Sequence, residues 1–139
     1  MNIFQNVLAV IVGFAVGMVV NMGIITISGS IIPPPEGFDL TTMDGLNDAM
    51  AVMSPKHFIM PFLAHSLGTL VGALVAALVA ATHKLWFALG IGVFFLMGGI
   101  YMVVLLPSSP MWFNITDIVL AYIPMGWLGW KLASKISNK

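Results

Sequence analysis

This 139-residue sequence predicts an all-α integral membrane protein, a bundle of four transmembrane helices, on three observations. The composition is 60% hydrophobic and 7% charged, with mean hydropathy +1.05, far from the roughly 25% charged residues of a soluble domain. Four long apolar runs, residues 4–32, 58–81, 85–106 and 112–130, are almost free of charge. Proline, serine or lysine clusters separate them, so the chain reads as one membrane domain from end to end.

The first run has no Lys or Arg ahead of it and is longer than a signal-peptide core, so it is expected to stay attached. Ala9, Gly13, Gly17 and Asn21 recur every fourth residue along one face. Gly13 and Gly17 form a GxxxG pair, the spacing that lets two helix backbones approach closely. Asn21 extends that face with an amide, expected to bond across to a neighbouring helix, or else to line a pocket.

Residues 33–57 are the one substantial polar stretch. Pro33, Pro34 and Pro35 end the first helix in an extended conformation, and Gly37 lets the chain turn. Met43, Leu46, Met50 and Met53 then keep helical spacing opposite Asp44, Asn47 and Asp48, as in a short surface helix started by Thr41 or Thr42. Gly45 argues against that helix, leaving an irregular segment over the bundle mouth as the alternative. The carboxylates of Glu36, Asp39, Asp44 and Asp48 lack EF-hand spacing and read as a solvated acidic face.

Ser54 and Pro55 mark the start of the second span. Its uncharged residues 58–81 would extend roughly 36 Å at 1.5 Å each, against a hydrocarbon core of about 30 Å. Ala64, Gly68, Gly72, Ala76 and Ala80 leave one stripe without bulk, so Gly13 and Gly17 are expected to meet Gly68, Gly72 and Ala76 in a tight seam. His83 and Lys84 turn the chain into the third span, which Pro107 to Pro110 close. The fourth span carries Pro124, expected to kink it and free a carbonyl near Leu120.

Four spans put the N-terminus, the Lys84 turn and the tail with Lys131, Lys135 and Lys139 on one side, with no acidic residue there. The positive-inside rule makes that side cytoplasmic and residues 33–57 extracytoplasmic. Trp86, Trp127 and Trp130 fall at one boundary and Phe58 and Trp112 at the other, as interfacial aromatics do.

With that orientation Asn21, His65, Tyr101 and Asp117 fall in the outer half of the bilayer. A carboxylate facing lipid is disfavoured, and His65 is the nearby side chain able to donate to it. The expected site is therefore a polar pocket pairing His65 with Asp117, completed by Asn21, Tyr101 and Asn114. A competing reading places Asp117 in interfacial water beside Asn114 and Thr116, with His65 bonded to a backbone carbonyl.

Stretches such as Pro55-Lys56-His57-Phe58-Ile59-Met60-Pro61-Phe62-Leu63-Ala64-His65 and Tyr122-Ile123-Pro124-Met125-Gly126-Trp127, with the overall layout, resemble a family of small four-span bacterial inner-membrane proteins to which no activity is assigned. That resemblance implies a bacterial cytoplasmic membrane and names no substrate. The sequence is unlike small multidrug transporters, since its first span has no embedded Glu, and it lacks the Arg-containing signature of small fluoride channels.

No P-loop, HExxH or GxSxG motif is present, Cys is absent, and no His pair has metal-ligand spacing, so no cofactor, metal or catalytic set is expected. His65 alone lies deep enough for a haem, and the methionines read as gap-fillers. Zero net charge and no Arg exclude nucleic acid as a partner. The expected partners are the lipid bilayer and, through leftover small-residue stripes, a second copy or another membrane protein. The favoured function is a non-enzymatic component that binds partners or lipid. The alternative is a small transporter or channel for a proton, cation or polar solute, and an enzyme using His65 and Asp117 as acid and base ranks third.

Overall fold

A stripe of small residues, one on each turn, makes one helix the axle on which three others pack. The structure, a computed structural model, describes residues 2–139. It contains α1 (Asn2–Ile31), α2 (Met43–Met50), a 3-10 turn (Pro55–Phe58) leading into α3 (Ile59–Val79), α4 (Lys84–Leu105), α5 (Met111–Leu120) and α6 (Ile123–Ser137). Helices α1, α4 and α6 all pack on α3.

Three helices are long and apolar enough to cross a membrane: α1, α3 together with its 3-10 turn, and α4. Their ends lie within two or three residues of the expected ones. Most of the large side chains they expose are apolar, among them Val19, Met97 and Val104, so much of the surface is suited to hydrocarbon rather than water. The interior is built largely from small residues: Ala9, Ala64, Ala73, Ala76 and Ala77 are fully buried. Dispersion between closely spaced backbones, rather than bulky side chains, holds such a bundle together.

The seam between α1 and α3 illustrates how close the approach is. A Cβ added at Gly13 would lie 2.7 Å from both the Gly72 carbonyl oxygen and the Ala76 Cβ. One at Gly17 would lie 2.8 Å from the Gly68 oxygen, and one at Gly72 would lie 2.8 Å from the Gly13 oxygen. The other face of α3 receives α6 in the same way, with Gly129 set against Ala73 and the Leu70 carbonyl.

At the end of the bundle that holds both termini, Asn6 ties α1 to the turn after α3. Its Oδ1 accepts from the amides of Ala81 (2.9 Å) and Thr82 (3.3 Å), and its Nδ2 donates to Thr82 Oγ1 (2.9 Å). The turn is tight enough to hold His83 in the left-handed region at φ 50°.

The expected fourth span requires correction. Instead of one kinked helix over 112–130, the chain breaks at Ala121 and Tyr122 into α5, of 10 residues, and α6, of 15. Pro124 sits in the first turn of α6, where its missing N–H costs nothing, so the proline starts a helix rather than bending one. Neither piece alone has the length of a span. The Gly92 backbone makes room for the break, since a Cβ there would lie 3.0 Å from the Tyr122 carbonyl oxygen.

Of the two readings of the polar stretch, the structure has the helix, with Gly45 inside α2. Thr42 caps the helix by accepting from the Gly45 amide (3.1 Å), and the Asp39 carbonyl packs where any Cβ at Gly45 would have to go. Asp39 also accepts from the Thr41 amide and hydroxyl, which hold its carboxyl below the usual carboxylate range. Helix α2 lies over one end of the bundle, pinned where Asn47 Oδ1 accepts from the Ser108 amide (2.9 Å).

Candidate functional site

Under α2 lies a cavity of about 550 Å³, within the size range of small-ligand sites. Its position follows from how α1 and α4 flank α3. Phe14 of α1 meets Phe94 and Phe95 of α4 midway along the bundle, with ring centroids 4.8 and 5.6 Å apart. Beyond that contact, Asn21 to Gly29 of α1 with the following Ile32, and Gly99 to Val103 of α4 with the following Leu106, form opposite walls of the cavity. Phe58, Pro61 and His65, one face of α3 and its leading turn, make the back, and Leu46, Met50 and Met53 make the lid.

The polar floor is a three-residue chain. His65 Nδ1 lies 2.8 Å from Asp117 Oδ1, and the Tyr122 hydroxyl donates to Asp117 Oδ2 at 2.8 Å. Asp117 is 4% exposed and Tyr122 1%, so the tyrosine meets the carboxylate out of solvent, while His65, a quarter exposed, reaches from the carboxylate to the cavity. Its oxygen accepting from Nδ1–H fixes the neutral ring as the tautomer with its lone pair on Nε2, and no protein group bonds Nε2 among the described residues. The His65 ring also stacks on Tyr122, with centroids 6.0 Å apart and planes 25° from parallel. Below it, Thr69 Oγ1 donates to the His65 carbonyl (2.8 Å), satisfying that hydroxyl within α3.

The structure thus brings His65 and Asp117 together, in place of the competing arrangement of an interfacial carboxylate and a backbone-bonded histidine. Asn114 lines the same cavity while holding the start of α5, its Oδ1 accepting from Ser109 Oγ at 2.6 Å. Asn21 also lines it, and the interhelical hydrogen bond expected of Asn21 is absent among the described residues; its Cβ packs instead over Gly68. Gly13, Gly17, Gly68, Gly72 and Ala76 lie in the α1–α3 seam below the cavity.

Tyr101 does not belong to the site. It is 62% exposed, on the far side of α4 from the cavity. The reason is helical phase: Gly99, Met102, Val103 and Leu106 face inward, and at 100° per residue Tyr101 lies about 200° round from Gly99.

Tyr122, by contrast, had no place in the expected pocket. In an unbroken helix it would lie about 140° round from Asp117, too far to share a hydrogen bond. The break between α5 and α6 turns it back, and Gly99 leaves space for its hydroxyl, which a Cβ at that position would displace. The available signal was a buried-type polar hydroxyl in an apolar run, two residues before a proline.

His57 guards the mouth of the cavity. The Ser54 amide donates to His57 Nδ1 (3.0 Å), so Nδ1 carries a lone pair and Nε2–H donates to the Pro33 carbonyl (3.1 Å). A neutral ring therefore links the proline segment after α1 to the start of α3. Phe58 beside it packs against Trp112 and Phe113, joining α3 to α5 at the same level.

Comparison of the chain with protein-family models, with curated proteins and with solved structures finds no match in any of the three.

Proposed function

We propose that this chain is a four-crossing membrane protein with both termini cytoplasmic, whose extracytoplasmic cavity binds a lipid or other small amphiphile without chemically altering it. The fourth crossing is the α5–α6 pair. A broken helix is tolerated at membrane depth where its loosened backbone is buried in protein or faces a cavity, and Tyr122 is buried beside one. The orientation rests on the four lysines Lys84, Lys131, Lys135 and Lys139 at the termini end. A bacterial inner membrane is the setting implied by the sequence resemblance.

The observation that carries this reading is the composition of the cavity: long apolar walls, four of whose side chains are the pliable Met22, Met50, Met53 and Met102, over a floor of fixed polar groups. An amphiphile matches that division, its tail against the walls and its head on His65 Nε2, Asn21 and Asn114. The separation of α1 and α4 above Phe14 offers a lateral way in from the bilayer.

Native mass spectrometry of the detergent-solubilised full chain tests the reading. One amphiphile per chain should survive release from the micelle. Replacing Val103 by Trp, which fills the space between the walls, should remove it. Equal retention by both proteins would exclude the cavity as the site. Topology is tested separately, because the chain has no Cys. A probe that cannot cross membranes should label Asp44→Cys in intact cells and Asn138→Cys only after lysis.

A transporter is the second reading, favoured by the broken helix beside a His–Asp pair, since discontinuous helices commonly shape substrate sites. In that case Asp117→Asn abolishes flux in proteoliposomes while the folded protein persists.

A further inference from the structure

The charge inventory of the cavity says which amphiphile fits. Neither Lys nor Arg is among the lining residues, and the chain has no Arg anywhere. The only carboxylate is Asp117, and the only other titratable lining groups are His57 and His65. His57 accepts from the Ser54 amide on Nδ1 and donates from Nε2 to the Pro33 carbonyl, the bonding pattern of an uncharged ring. The balance therefore depends on His65 and Asp117 alone. With His65 neutral the cavity holds one net negative charge, and with His65 protonated it holds none. In neither state is there a positive excess, so a phosphate or carboxylate head would be buried without a counter-charge.

An ammonium head meets the opposite situation. Asp117 supplies its counter-charge, and His65 Nε2, a lone pair with no protein partner among the described residues, accepts an N–H. The segment that forms the lid and mouth adds to this. Residues 33–57 contain four carboxylates, Glu36, Asp39, Asp44 and Asp48, against the single Lys56, so a cation gathers at the entrance and an anion is repelled.

We infer that the cavity is selective for single-chain amphiphiles bearing a protonated amine, and rejects anionic ones. The inference deepens the binding reading above and depends on it. Selection arises from one buried carboxylate in a cavity that has no positive excess in either state of His65, inside walls that accept a hydrocarbon tail.

A matched trio with one tail and three heads tests it: octylammonium, octanol and octanoate, titrated by calorimetry into the full chain in phosphatidylcholine nanodiscs, with empty discs subtracted. Octylammonium should bind saturably, one per chain and at least tenfold tighter than octanol, and octanoate should show no saturable binding. Asp117→Asn should weaken octylammonium at least tenfold and leave octanol within twofold. If Asp117→Asn does not fold, the ranking of the trio on the wild-type protein decides alone. Octanoate binding as tightly as octylammonium, or octanol equalling octylammonium, overturns the charge selectivity while leaving the amphiphile site standing. No saturable binding of any of the three overturns both. Val103→Trp separates cavity binding from surface binding, because only cavity binding is lost.

Discussion

Substituting Phe at each of the chain's two tyrosines isolates the floor of the site. Tyr122→Phe removes one oxygen and keeps the ring stacked on His65, so the change is confined to the hydrogen bond on Asp117 Oδ2. A bond to a charged acceptor contributes about 1.5 to 3 kcal/mol in a soluble protein. The reference state in a membrane also finds partners, and measured interhelical bonds there average only about 0.6 kcal/mol. Burial of both groups favours the upper part of the membrane range, which reaches about 1.7 kcal/mol, so the expected loss is about 1.5 kcal/mol, or roughly a tenfold fall in the folding equilibrium constant. Tyr101→Phe serves as control: it deletes the same atom from an exposed side chain on the opposite face of α4, and should change stability by less than about 0.5 kcal/mol. Reversible unfolding in mixed micelles measures both. In an Asp117→Ala background, Tyr122→Phe should lose most of its effect, because the acceptor is already gone. Equal effects of the two tyrosine substitutions, or an undiminished Tyr122→Phe effect without Asp117, would refute the proposed floor.

Three further outcomes follow from other parts of the molecule. Gly13→Ala should destabilise by about 1 to 2 kcal/mol, because its Cβ would press on the Gly72 carbonyl and Ala76, whereas Gly23→Ala, with nothing within 4 Å, should stabilise by up to about 1 kcal/mol in the same unfolding assay. Asn47→Ala should speed amide exchange at Ser108 by up to about tenfold, read by hydrogen exchange with mass spectrometry, as the pin between α2 and the α4–α5 turn is lost. At the Asp39 turn, the Thr41 bonds favour the ionised carboxyl, so their stabilisation is present above the ordinary aspartate range and is lost as pH falls through the lowered folded value; the Thr41 amide resonance should titrate below that ordinary range, and Thr41→Ala should bring the midpoint back up.

The pairing of His65 with Asp117 was one of two readings open before the fold, and scarcity is what raised it. Few groups in the apolar runs can satisfy a carboxylate, and depth along a helix is read from residue count alone. The α1–α3 seam was legible for a similar reason, since a four-residue repeat of small side chains marks a face whatever it later touches. Tyr101 and Tyr122 were not separable in that way. Each is a phenol in an apolar run, and choosing between them needs the rotation of α4 about its axis and the direction the chain takes after Ala121. Asn21 was ambiguous for the same reason, its amide standing between a helix partner and a cavity.

Local chemistry therefore determined the solvent, the number of long apolar helices up to Leu106, and the small-residue faces, because hydropathy, helical period and the backbone limits of proline and glycine act over a few residues. Tertiary packing decided the rest. Whether Pro124 bends one helix or begins another depends on whether neighbours such as Gly92 can receive the unwound backbone. Whether polar groups on α3, α5 and α6 form one floor depends on the relative rotation and offset of those helices, quantities set by contacts between residues far apart in the chain and encoded by no single stretch of it.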